Sequence, residues 1–329
     1  MASRSKAVSH LIARLERLDV QRPDLLRVLT YHRIDEPDAQ PDLDPGLISA
    51  TPAMFNEQMK YVASRYRVVS TAELLEARRS RTALPPRSVL VTVDDAYCDF
   101  ESNAWPILKK HGIPVTLFVP TGYPDRPDRA FWWDRLYQAV CRMNHPSDFG
   151  TVRERNGHDD CPKNRKVFWR LKNWIKSLPH DRAMASVDRI CAVSENSQPK
   201  NHVLGWQALR RLAGEGVALA AHSQTHPLMN HLSGDEARRE AAGSRRDIER
   251  EVGPTLPVFA YPGGGFDESV VQALRAERFA LAFTTARGMN DLQHADPLRL
   301  RRINVGARTS QPVFGAQLLP WLVHLNRWA

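Results

Sequence analysis

The sequence predicts an α/β fold in which parallel strands alternate with helices and close into a barrel of about seven strands. Three observations lead there. Short apolar, β-rich runs recur along the 329 residues, helix-start signals fall between them, and several of the runs end abruptly in polar groups able to do chemistry.

The first run, Leu25–Tyr31, ends at His32-Arg33 and reads as a buried strand delivering side chains to a loop. After a Pro- and Asp-rich stretch, Thr51-Pro52 has the form of an N-cap followed by proline at the first helical position. Phe55, Met59 and Val62 then recur on one helical face. Ser70 and Glu73 make a capping box ahead of Leu74-Leu75, and the strand Ser88–Val93 stops at Asp94-Asp95. A helix over 104–111, closed by Gly112, precedes the strand Val115–Val119. The alternation resumes with a strand at 217–221, a helix begun by Ser233 and Glu236, and strands at 258–261, 279–284 and 298–305. Between the two halves, 125–204 is Trp- and Arg-rich and leans towards helix. It reads as an insertion within a single domain covering 1–329.

Composition excludes several classes. With 42% hydrophobic and 25% charged residues, the chain can bury a large core and does not read as disordered. The net charge of +9 favours an anionic partner, but the arginines are scattered without the aromatic interleaving of a nucleic-acid reader, so nucleic acid is excluded. Cys98, Cys141, Cys161 and Cys191 contain no CxxC pair and read as thiols of a reducing compartment. Residues 1–20 lack the apolar core of a signal peptide, which sets the expected location as cytoplasmic. Trp321, Leu325 and Trp328 fall at helical spacing in the stretch 318–328. That stripe reads as packing on its own domain, with peripheral association at the inner membrane face, through it or the basic surface, as the alternative.

Three polar groups directly follow apolar strands: Asp94-Asp95, His222-Ser223-Gln224-Thr225-His226, and Tyr261-Pro262-Gly263-Gly264-Gly265. Parallel α/β folds gather the carboxyl ends of their strands on one face, so these groups can meet. Two imidazoles and one carboxylate make a hydrolytic site for one divalent metal, zinc first and cobalt or nickel as alternatives, leaving a second carboxylate free to act as base. A His-x-x-x-His spacing in a chain with 12 histidines is weak alone; its place at a strand end beside a second strand-end motif makes the case.

The succession Thr92-Val93-Asp94-Asp95-Ala96, then His222 to His226, then Phe259-Ala260-Tyr261-Pro262-Gly263-Gly264 resembles the polysaccharide deacetylase (NodB-homology) family. Leu29-Thr30-Tyr31-His32-Arg33 and Pro114-Val115-Thr116-Leu117-Phe118-Val119 extend the likeness to most of the chain outside the insertion. The resemblance implies a distorted (β/α)7 barrel and a metal-dependent hydrolase that removes N-acetyl groups from an amino-sugar polysaccharide, oligosaccharide or lipid-linked glycan. It implies Asp94 as general base and Asp95, His222 and His226 as metal ligands. Tyr97, Tyr261, Pro262 and Gly263 would lie along the substrate, with an N–H of Gly263 or its neighbour facing the oxyanion. Tyr97, Phe266 and Trp132-Trp133 are candidates for stacking on sugar rings.

The departures from the family pattern are specific. Ala96 stands where the first motif usually has Gly, a change tolerable unless the turn requires a positive φ. Ala260 and Gly263 replace an Arg that positions the base and a Tyr, which leaves Arg33, Arg301 and Arg302 as candidates to orient Asp94. The late Leu-x-His that supplies the general acid is missing, His294 lies in a loop, and His32 at the end of the first strand takes the role. Two rival readings keep part of this picture: a hydrolase of C–N bonds in a non-carbohydrate substrate, and a glycan-binding pseudoenzyme.

Overall fold

In the computed structural model, which describes residues 24–142, 165–192 and 200–320, the strands follow as β1 (Leu25–Tyr31), β2 (Arg33–Ile34), β3 (Ile48–Ala50), β4 (Arg67–Val68), β5 (Ser88–Val93), β6 (Val115–Val119), β7 (Ala218–Ala221), β8 (Val258–Ala260), β9 (Leu281–Arg287), β10 (Asn290–Asp291) and β11 (Leu300–Asn304). Of the described residues, 24–36, 46–124 and 203–320 form one compact unit, and 37–45 with 125–142, 165–192 and 200–202 form the other.

The first unit is a closed parallel barrel. Strands β5, β6, β7, β8, β9 and β11 pair in chain order, and β1 closes the ring by pairing with both β5 and β11. All seven barrel strands correspond to apolar runs read from the sequence: β1, β5 and β6 have the same bounds, and β7, β8, β9 and β11 have ends shifted by one to three residues. They are legible because a strand covered on both faces reads as a continuous apolar run: every residue of β5 is buried. Leu26, Val28, Leu90, Phe118, Ala220, Ala260, Phe283 and Leu300, drawn from all seven strands, form one core cluster. Ala237, Ala241, Val270, Val271 and Leu274 of two helices pack on Phe259 and Ala282 in another.

The caps stand where the sequence puts them. Thr51 accepts from the Met54 amide ahead of the helix Pro52–Arg65, and Ser70/Glu73 and Ser233/Glu236 are reciprocal capping boxes on the helices Thr71–Ser80 and Gly234–Glu251. The two- and three-residue strands β2, β3, β4 and β10 were not expected, because so few residues carry no detectable alternation. One π turn, Phe100–Ala104, precedes the helix Trp105–Lys110.

The second unit is built on the helices Trp132–Arg142, Arg165–Lys176 and His180–Ala192, whose Leu136, Val140, Phe168, Ile175 and Val187 share a core. The segment 37–45 belongs here because Asp44 is tied at both ends. Its amide donates to Asp134, and its carboxylate accepts from the buried Lys172 ammonium at 2.7 Å. A stretch read from the sequence as a loop therefore carries an anchoring residue. Trp133 stacks on Phe131 within this unit, with ring centroids 4.3 Å apart, and is buried. On Arg165–Lys176 the outer face shows Trp169 and Trp174, 40% and 47% exposed. Among the described residues no helix is long and apolar enough to cross a membrane. Trp321, Leu325 and Trp328 lie outside the described residues, as do residues 1–23 and Cys161.

The barrel mouth is distinguished by its backbone. Asp95, Ala96, Ser223 and His226 all have positive φ, at 74°, 51°, 62° and 58°. Side chains with a Cβ adopt this left-handed region at a cost of about 1–2 kcal/mol. The turn after β5 does require φ above zero, so Ala96 is strained rather than neutral. Ala96→Gly is expected to raise the unfolding free energy by about 0.5–1 kcal/mol, the relief of strain exceeding the added chain entropy. Denaturant unfolding checks this, and a loss of stability would contradict the strain.

Candidate functional site

Three strand ends carry the site. Asp94 and Asp95 follow β5, His222 follows β7 with His226 on the same loop, and His32 follows β1. One oxygen of Asp95 and one ring nitrogen from each of His222 and His226 lie within 4.8 Å of one another. Asp95 Oδ1 is 3.4 Å from His222 Nε2 and 3.1 Å from His226 Nε2, close to the edge of about 3.3 Å in a tetrahedron with bonds of 2.0–2.1 Å.

Two further features fit a divalent cation. Asp95 Oδ1 is buried and has no hydrogen-bond partner among the described residues, an arrangement that is costly unless an ion completes it. His222 Nδ1 lies 2.8 Å from the Ala260 carbonyl oxygen, so Nδ1 carries a proton and Nε2 is the ring nitrogen left to bind a cation beside Asp95.

The electrostatics agree. Burial works to raise the Asp95 carboxyl, but the two imidazoles prevail and hold it well below the ordinary range. Burial pushes His226 down, favouring the neutral ring that a ligand must be. Burial also disfavours charge on His222, yet Asp95 and Asp94 pull its pKa up, a sign that Nε2 sits in a potential that attracts cations.

Asp94 is held differently. Arg302, fully buried on β11, reaches Asp94 with two nitrogens at 2.9 and 2.8 Å and donates through Nε to the Thr284 carbonyl at 2.7 Å. Burial raises the Asp94 carboxyl, while Arg302, His222 and His32 outweigh it and lower the net value. A carboxylate held by one hydrogen bond from a buried guanidinium, with a second nitrogen in close ion-pair contact, is ionised and fixed in orientation. His32 Nε2 stands 4.0 Å from Asp94 Oδ2, too far for a hydrogen bond and close enough for both to address one reacting centre. Its side chain is 30% exposed, and its amide donates to Ser49 Oγ.

Of the three arginines expected to compete for Asp94, two are elsewhere. Arg33 donates to Asp99 and Asp35, and its guanidinium covers the ring of Tyr97. Arg301 points outward and is exposed, its amide bonded to Asn290. Strand alternation explains the choice: along β11, Leu300 and Arg302 face inward and Arg301 outward.

Two aromatic candidates are also corrected. Tyr97 is buried beneath Arg33, and Tyr261 is buried, donates to the Leu298 carbonyl and stacks on Phe266, so neither ring is open to a sugar. Pro262 is buried, whereas Gly263 is exposed at φ 56°, a left-handed conformation in which a residue with a Cβ would be strained.

Residues the sequence did not single out hold the histidine loop. Glu240 accepts from the Gln224 and Thr225 amides and from the Thr225 hydroxyl, and Asp247 accepts from Gln224 and Thr121. Their i, i+7 spacing on a long helix is a signal only once the packed face is known.

The polysaccharide deacetylase family model matches residues 81–281 of the chain. YxkH of Bacillus subtilis (strain 168), named for the same family, is 18% identical over 302 residues, covering 92% of this chain and 78% of that protein. The poly-beta-1,6-N-acetyl-D-glucosamine N-deacetylase of Staphylococcus aureus (strain MSSA476) is 33% identical over 75 residues, 23% of this chain and 26% of that enzyme. Among solved structures, Streptococcus pyogenes deacetylase PplD in complex with acetate superposes with a TM-score of 0.60 at 20% identity, covering 91% of this chain and 99% of its own.

Removing Arg302 tests the clamp. Arg302→Met leaves a buried carboxylate unpaired and is expected to cost about 3–5 kcal/mol at neutral pH, and adding Asp94→Asn should recover most of it. Because the folded-state pKa of Asp94 is lowered, its stabilisation is complete above the unfolded value of about 3.9 and lost as pH falls through the folded value. The stability gap between wild type and Arg302→Met therefore narrows on acidification. A gap independent of pH and of Asp94→Asn would show that the pair does not matter.

Proposed function

The chain belongs to the polysaccharide deacetylase family, metal-dependent hydrolases of N-acetyl amides, and from that premise we propose that it deacetylates a β-linked N-acetylglucosamine glycan, free or lipid-linked, with zinc in the Asp95, His222, His226 site. The observation that carries the reading is the held base beside the cation-ready triad: Asp94 fixed by Arg302, one residue away from the buried Asp95 oxygen that lies between two imidazoles and makes no hydrogen bond. The likeness to the staphylococcal enzyme supports the choice of sugar, and the two-nitrogen, one-oxygen donor set supports zinc, with cobalt or nickel as substitutes.

When bound, the ion supplies a Lewis acid that acidifies water and polarises the acetyl carbonyl. Asp94 accepts the proton of the attacking water, and Arg302 keeps the carboxylate aimed while that proton arrives. The N–H of Gly263 or its neighbour, on the turn after β8, is the proposed donor to the developing oxyanion. His32, at the open side of Asp94, gives the proton that lets the amine leave, so that water's O–H and the amide C–N break as acetate and free amine form.

The proposed setting is the cytoplasmic face of glycan assembly. Cys98 and Cys191, both thiols, and the basic, tryptophan-bearing outer face of Arg165–Lys176 support it, the latter as a surface for peripheral contact with anionic lipid.

Zinc-loaded protein is expected to release acetate from N-acetylglucosamine oligomers and to lose that activity on chelation. Asp94→Asn should abolish turnover, and His32→Ala should lower kcat by about 10²-fold or more with zinc occupancy unchanged. Near wild-type turnover by His32→Ala would remove its role as acid, and tight oligomer binding with no acetate would remove the enzymatic reading altogether.

A further inference from the structure

His222 and His226 are separated by three residues with no regular secondary structure, and two of the five residues, Ser223 and His226, are in the left-handed region. A segment in that state needs external support to hold two imidazoles on one point. Part of the support comes from the loop itself and from the chain after β6: the His226 amide donates to Ser223 Oγ at 2.9 Å, and the amides of Thr121 and Gly122 donate to the Ser223 and Gln224 carbonyls at 3.1 and 2.9 Å.

The rest comes from one face of the helix Gly234–Glu251. Glu240 Oε2 accepts from the Gln224 and Thr225 amides at 2.7 and 2.8 Å, and its Oε1 accepts from the Thr225 hydroxyl at 2.6 Å. One turn on, Gly243 leaves the space that the Gln224 side chain fills; a Cβ there would come within 2.4 Å of the Gln224 amide oxygen. A further turn on, Asp247 accepts from Gln224 Nε2 at 2.7 Å and also from Thr121 Oγ1 at 2.8 Å. The two residues gripped, Gln224 and Thr225, are two of the three between the imidazoles, and neither is a ligand.

We infer that the Glu240–Gly243–Asp247 face is a template that sets the shape of the histidine loop, making Glu240 and Gly243 positioning residues for the divalent cation. The inference rests on the reading of Asp95, His222 and His226 as its ligands. Glu240 acts through hydrogen-bond geometry. A glutamine in its place keeps an oxygen able to accept both amides and an NH2 able to donate to the Thr225 hydroxyl, whereas alanine keeps neither.

The test is zinc affinity of the chelator-stripped full chain, measured by competition with a chromophoric chelator, with thermal unfolding of the stripped proteins alongside. Glu240→Ala should weaken zinc binding about 10–100-fold, and Glu240→Gln should restore most of it. Gly243→Ala displaces the Gln224 amide from Asp247 without altering any charge; it should weaken zinc several-fold while the stripped protein melts no earlier than wild type, because alanine favours the helix. Should Glu240→Ala fail to fold, Gly243→Ala still decides the matter. Zinc affinity within twofold of wild type in the folded variants would overturn the template, as would Glu240→Gln falling as far as Glu240→Ala, which would mark the effect as one of charge. Equal zinc affinity in wild type and His226→Ala would instead sink the cation site, and the inference with it.

Discussion

The closure of the parallel ring through β1 is the constraint on which the site depends. Because β1 lies between β5 and β11, with Tyr31 opposite Val93 and Leu29 opposite Ile303, the residues that follow or face inward from these strands are neighbours in space. The Asp94 amide even bonds to the Tyr31 carbonyl, so base and proposed acid leave the barrel side by side while Arg302 approaches from the other flank of β1. An open sheet would have left β1 and β11 on separate edges, and Asp94 without its guanidinium.

Burying two adjacent carboxylates is tolerable because each is compensated differently. Asp94 has Arg302 as a permanent counter-charge, which costs little reorganisation when a proton arrives. Asp95 has two imidazoles and an unpartnered oxygen, a compensation that is complete only with a cation present. The same pair of residues thus divides into a base that stays put and a ligand that waits for its ion.

Much of this was legible in the sequence, and the parts that were not share a cause. The seven apolar runs, the capping residues Thr51, Ser70 and Ser233, and the strand-end groups Asp94-Asp95 and His222 to His226 are local signals. Arg302 could be named only as one of three arginines, although the alternation over Leu300, Arg301 and Arg302 would have separated it from Arg301 had the strand's inward face been known. Tyr97 and Tyr261 looked open because a motif gives position and not burial. Glu240 and the Asp44–Lys172 contact were invisible, since each joins segments far apart in the chain through a face that only packing defines.

The position of β1 also bears on how the chain reaches its native state. A strand made at residues 25–31 waits for a partner at 300–304, so the ring cannot close until nearly all of the described chain has left the ribosome. Contacts of such high order are slow to find, and until then the flank of β1 destined for β11 is an unpaired template for wrong strands. A strand edge left open through most of synthesis is thus a consequence of the same topology that assembles the barrel mouth.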